Sequence, residues 1–157
     1  RAQLDAAGGP TVALDASGAV ADAHAEAERA LALIGAQLAT GTRPVVSASH
    51  DRAAIAAAQA EFGVEVAATA VEDVLARVAR GAVDRFGVRR LLVAGGESSG
   101  AVTRGLGLRA LRLTTRVDPG VAWATGRTGD GVPIAVLLKS GNFGGVDLFD
   151  RAWESAP

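Results

Sequence analysis

Apolar residues recur along this chain in two alternating patterns. Short runs such as Thr11-Val12-Ala13-Leu14-Asp15 and Arg43-Pro44-Val45-Val46-Ser47-Ala48 read as strands. Between them, Ala23, Ala27, Ala30, Leu31, Ile34 and Leu38 fall at helical spacing and predict a helix over 19–38, closed by Gly41. Asp51 is placed to cap a helix over 52–62. Val71, Val74, Leu75, Val78, Ala82 and Phe86 predict a further helix over 71–86, stopped by Gly87. A strand over 90–94, a helix over 99–106, strands over 110–115 and 133–138 and a closing helix over 147–153 complete the pattern. Strand and helix alternate through the first two thirds of the chain. That order predicts an α/β fold of three layers, a mainly parallel sheet with helices on both faces.

Two strand candidates end in glycine-rich turns. Leu91-Leu92-Val93-Ala94 runs into Gly95-Gly96-Glu97-Ser98-Ser99-Gly100, and Ile134-Ala135-Val136-Leu137-Leu138 runs into Lys139-Ser140-Gly141-Asn142-Phe143-Gly144-Gly145. In parallel sheets ligands gather at the carboxyl ends of strands, so the two turns are expected to share one crevice. Glycine lets the backbone approach closely, and a following helix offers its N-terminal N–H groups to an anion. The first turn is neither a P-loop nor a dinucleotide fingerprint. On its residues alone it reads equally as a phosphate cradle or as a tight βα turn with serine caps. Lys139 is the only lysine of the chain, all other basic residues being arginine. It reads either as a point charge for phosphate or as a solvated strand end. Phe143 reads as a flank for a nucleobase or as a core plug. Glu97 reads as a carboxylate that places magnesium through water or as a partner of the helix dipole.

Composition narrows the field. A net charge of −1 gives no basic field for nucleic acid, and no apolar stretch approaches the length of a membrane span. Without cysteine there is no disulfide framework, thiol nucleophile or cysteine zinc site, which suits a cytoplasmic protein. His24 and His50 have no ligand spacing and read as surface or structural residues. Asp15 reads as a crevice or turn residue. Asp118-Pro119-Gly120-Val121-Ala122-Trp123 reads as a turn that positions Trp123, either in the core or on an adenine face. The charged faces of the helices at 22–29 and 72–85 are expected to be solvated. No Ser-His-Asp arrangement or metal cluster is legible, which fits a domain that holds one substrate while another supplies the reaction centre.

Taken together, the Gly95–Ala101, Asp118–Trp123 and Leu138–Gly145 segments resemble the nucleotide-binding half of the four-carbon acid sugar kinases. These bacterial enzymes phosphorylate 3-oxo-tetronate, threonate or erythronate. The resemblance covers essentially the whole chain, with Ser98 where the family has threonine and Ala122 where it usually has proline. It implies that residues 1–157 form a single nucleotide-binding domain, the C-terminal part of a longer two-domain kinase. It implies ATP contacts at Gly95, Gly96, Glu97, Ser98, Ser99, Gly100 and Gly141, with Lys139 and Asn142 beside them, and magnesium with the ATP. The sugar acid and the catalytic groups would belong to an N-terminal domain, and this chain alone is expected to lack kinase activity. Oligomeric state is left open, a homo-oligomer included. From the residues alone, a non-catalytic module that senses a nucleotide or phosphometabolite remains the alternative.

Overall fold

The computed structural model describes residues 9–48, 51–140 and 143–157. His50, Gly141 and Asn142 lie outside the described residues. The structure is α/β, as the alternation predicts, and its helices and strands form two compact units, Gly9–Phe86 and Gly87–Pro157.

In the first unit, strand β1 (Thr11–Ala13) pairs in parallel with β2 (Val45–Ser47). Helices α1 (Ala16–Ala21), α2 (Ala23–Ala39), α3 (Arg52–Phe62) and α4 (Val64–Phe86) pack against one another, and α2 packs on β1. The long helix expected over 19–38 is interrupted at Asp22, whose backbone is extended at φ −157°. Its carboxylate accepts the N–H groups of His24 and Ala25 at 2.9 and 3.0 Å, so a side-chain cap restarts the helix. His24 is an exposed first-turn residue of α2. Asp15 caps α1 by accepting from the Ser17 N–H at 3.0 Å. Helix α4 begins at Val64, earlier than its apolar spacing predicts, because Gly63 at φ +91° ends α3 and releases the chain straight into the next helix. Val12, Ala27, Ala30, Leu31, Ile34, Val74 and Val78 form the core of this unit.

One expectation fails here. Glu26, read as part of a solvated face, is buried. It accepts the Asp15 N–H at 2.8 Å and two hydrogen bonds from Arg29 at 2.6 and 2.7 Å. Arg29 also donates to the Ala13 carbonyl at 2.7 Å. The pair therefore ties the end of β1 to α2. Burial pushes the Glu26 carboxyl up, but the Arg29 guanidinium and the Asp15 N–H outweigh it and hold the group below its ordinary value near 4.5. A depressed carboxylate pKa stabilises the fold above the unfolded value and loses that contribution as pH falls through the folded one. Glu26→Ala is expected to cost about 2 kcal/mol at neutral pH, since it removes the acceptor of the Asp15 N–H and leaves Arg29 without its carboxylate. Urea melts at pH 7 and pH 3 check this: the gap between wild type and variant should shrink at the lower pH.

In the second unit, β3 (Arg90–Ala94), β4 (Leu111–Asp118), β5 (Val121–Arg127) and β6 (Pro133–Lys139) make one sheet in the order β3-β6-β5-β4. β3 and β6 are parallel; β6, β5 and β4 are successively antiparallel. The strands joined by short turns are thus the antiparallel ones, whereas the pairs separated by helices are parallel. Strand β5 falls where a turn and a positioned tryptophan were expected. Pro119 and Gly120, the latter at φ +74°, have the chemistry of a type II turn, and this makes a hairpin of β4 and β5. Trp123 is fully buried: its Nε1 donates to the Ala152 carbonyl at 2.8 Å, and its ring tilts against Trp153 at 5.6 Å. Of its two readings, the core one holds.

Helix α5 (Gly96–Gly105) packs on β3 and β6, and α6 (Leu148–Glu154) lays Leu148, Phe149 and Ala152 against Trp123, Ala135 and Leu137. β4 is an edge strand with Leu113 74% exposed. Arg112 stands between its two leucines and Arg116 lies further along, and register shifts break its pairing after Leu113 and again after Arg116. Charge and irregularity of this kind blunt an edge against open-ended pairing. No described helix is long and apolar enough to cross a membrane.

Candidate functional site

The site is set by a strand register. β3 and β6 run parallel with Ala94 opposite Lys139. The Gly95 N–H donates to the Lys139 carbonyl at 2.8 Å, so the ladder continues one step beyond β3. The two glycine-rich turns therefore leave the sheet side by side. The β4–β5 hairpin joins them at the same end, because β5 runs antiparallel to β6 and starts where β6 finishes. All three segments singled out in the sequence lie at this one edge of the sheet.

Gly95 makes the turn into α5. Its φ of +116° and ψ of 135° suit glycine alone, and a Cβ there would lie 3.3 Å from the Ser98 Oγ. The helix begins at Gly96, three residues earlier than expected, so most of the Gly/Ser segment is its first turn rather than a loop. No side chain caps this end. The helix itself leaves the N–H groups of Gly96, Glu97 and Ser98 without a partner, and the positive end of the helix dipole adds to them. A Cβ on Gly96 would meet nothing within 4 Å, so the backbone there has open space beside it. Glu97 is exposed and Ser98 half-buried. Ser99 and Gly100 lie deeper in the helix. The Ser99 carbonyl accepts from the Thr103 Oγ1 at 2.6 Å, while the Ser99 Oγ is buried without a hydrogen-bond partner among the described residues. A Cβ on Gly100 would approach an Arg104 guanidinium nitrogen to 3.1 Å.

Lys139 is 4% exposed, far from the solvated strand end of its alternative reading. Burial holds its ammonium below the ordinary lysine value. It stands on the last residue of β6, beside the Gly95 turn. Four residues on, Phe143 is 53% exposed and lies over the hairpin turn, where a Cβ on Gly120 would come 3.4 Å from its ring. The hairpin is anchored in turn: Asp118 accepts from Arg151 at 2.9 Å, and Asp147 lies 2.9 Å from the same guanidinium. Hydrogen bonding to Asp118 raises the Arg151 pKa above its ordinary value. The Arg151 ion pair had no signal in the sequence, since a contact across thirty-three residues leaves none without the fold.

This edge can receive an anion of extended shape. It offers the first-turn N–H groups of α5, a helix dipole and, at Gly96, room for close approach, with Lys139 on the neighbouring strand end. Gly95, Gly96, Glu97, Ser98, Ser99, Gly100 and Lys139 are brought together here; Asp15 and His24 belong to the other unit. Among the described residues no three histidine or acidic side chains cluster as metal ligands. Glu97, exposed at this edge, could hold a magnesium ion through water, the ion taking its ligands from water and phosphate.

The sequence of residues 1–149 matches the family described as nucleotide-binding C-terminal domain. The chain belongs to that family. It is the C-terminal domain of the four-carbon acid sugar kinase family. The nucleotide-binding domain is 46% identical over 134 residues to a 3-oxo-tetronate kinase of Cupriavidus necator, covering 85% of this chain and 30% of that one. A 3-oxo-tetronate kinase of Methylobacterium radiotolerans is 45% identical over 144 residues, covering 91% and 33%. The chain thus spans about a third of the length of the curated relatives it matches. A Haemophilus influenzae protein of solved structure superimposes with a TM-score of 0.79 at 31% identity, over 94% of this chain and 34% of that one.

Proposed function

We propose that the 157 residues form the ATP-binding domain of a two-domain kinase that phosphorylates a four-carbon sugar acid of the 3-oxo-tetronate type. The observation that carries this reading is the register of β3 and β6, which sets the first turn of α5 beside the end of β6, where Lys139 stands. The N–H groups of Gly96, Glu97 and Ser98 would hold phosphate oxygens, and Lys139 would offset their charge. The open space over Gly96 supports this assignment, since phosphate must approach the backbone itself. Ser99, Gly100, Gly141 and Asn142 complete the proposed nucleotide contacts. Magnesium on the phosphates would neutralise the charge that develops in transfer, with Glu97 holding it through water. The acceptor hydroxyl and the groups that act on it belong to another part of the protein. Positioning and electrostatics are then this domain's contribution to catalysis.

The named relatives are 3-oxo-tetronate kinases, which favours 3-oxo-tetronate over threonate and erythronate as acceptor. A phosphorylation assay tests the reading. This chain, covalently joined to the N-terminal domain of a 3-oxo-tetronate kinase, is expected to convert ATP and 3-oxo-tetronate to ADP and phosphorylated acid. The chain by itself should bind ATP without turnover. Turnover by the chain alone, or failure to bind ATP, would contradict the reading.

A further inference from the structure

Phe143 is a large apolar side chain left 53% exposed in a chain with few aromatics. Its position is specific. It follows β6 by four residues, and its ring lies over the backbone of the hairpin turn at Gly120, at van der Waals distance from where a side chain would begin. Gly120 is at φ +74°, so the turn demands glycine for its backbone as well. The ring is thus supported from beneath by backbone, while about half of the residue stays open to solvent. The hairpin under it is fixed to α6 by the Asp118–Arg151 ion pair. A supported, half-open aromatic ring at the same sheet edge as an anion site has a specific use. It can stack a flat, uncharged group carried by the same ligand as the anion.

We propose that Phe143 is the stacking platform for the nucleobase, and that it selects a nucleotide over a bare polyphosphate. This deepens the ATP reading and rests on it. The phosphates would lie toward Gly96 and Lys139, and the base toward Phe143 and the hairpin.

Calorimetry with ATP and with inorganic tripolyphosphate tests the platform on wild type, Phe143→Leu and Phe143→Trp. Leucine keeps an apolar group over Gly120 but has no π-face; tryptophan restores one. The expected result is that wild type prefers ATP, and that Phe143→Leu weakens ATP about tenfold to a hundredfold while tripolyphosphate binding is unchanged. Phe143→Trp should recover the preference. If Phe143→Leu leaves a wild-type preference for ATP intact, the base sits elsewhere and the platform is overturned while the phosphate reading stands. Equal weakening of both ligands would make Phe143 a support of the turn, which also overturns it. Should wild type bind neither ligand, the nucleotide reading fails and the platform with it.

Discussion

Gly96→Val is expected to abolish nucleotide binding while leaving the fold intact. A Cβ on Gly96 meets no neighbour within 4 Å, so the larger side chain has room and the protein should melt within a few degrees of wild type. The small helix-propensity change for valine at a first-turn position is of the order of 0.5 kcal/mol. The same room is what the phosphates are proposed to occupy. Valine would fill it and hold the anion away from the N–H groups of Gly96, Glu97 and Ser98. Loss of two or three charge-assisted hydrogen bonds corresponds to about 3–6 kcal/mol, or at least a hundredfold in affinity. Calorimetry with ATP, paired with a thermal melt, reads both halves of the prediction. Gly95→Val is a contrasting case. With φ at +116° and the Ser98 Oγ 3.3 Å from the new Cβ, it should lower stability as well as binding.

The second large effect is expected at Lys139. Its ammonium is buried, and burial holds its pKa below the ordinary value near 10.5. The unfolded chain therefore keeps that proton more tightly than the folded one. The resulting cost is fully present at neutral pH and is relieved as pH rises through the folded pKa. An anion beside the ammonium would reverse the shift. ATP affinity is thus expected to fall as pH rises through the folded Lys139 pKa, the fall beginning below the ordinary lysine range. Lys139→Met keeps the unbranched stem of the side chain and removes the ammonium. It should weaken ATP binding about tenfold to a hundredfold at pH 7 and flatten the alkaline pH dependence. Equal affinity in wild type and variant across that range would remove Lys139 from the site.

What the sequence discloses about this fold depends on how local each cause is. β3 was legible to the residue, because an apolar run ended by glycine turns carries its own boundaries. α3 was legible for the same reason, with Asp51 at its start and Gly63 at its end. Asp22 was visible as a residue but not as an interruption, since the apolar spacing runs on across it; the carboxylate's competition with the helix decides the matter locally. Glu26 sat in a charged segment whose pattern reads as solvated. Its burial follows from the approach of β1 to α2, which no periodicity encodes. β5 was hidden behind its own turn: Pro119 and Gly120 were read for what they stop, and not for the strand that follows.

For the candidate site the division is similar. The chemistry of the two glycine turns was visible residue by residue, and their convergence followed from a general property of parallel sheets. The specific pairing of Ala94 with Lys139 required the strand order, since β4 and β5 intervene in the chain. Burial of Lys139 was equally out of reach, because its neighbours come from other strands. Phe143 was weighed evenly between base flank and core plug, and its half-open position over Gly120 removes the second reading.

The central claim is that the first turn of α5 binds the phosphates of ATP through its own backbone. Amide NMR of the isotopically labelled protein reads those groups directly. Addition of a non-hydrolysable ATP analogue is expected to move the amide resonances of Gly96, Glu97 and Ser98 downfield, while those of the edge strand Leu111–Arg116 stay in place. Saturating analogue that leaves the Gly96, Glu97 and Ser98 resonances unmoved while shifting others would contradict the account.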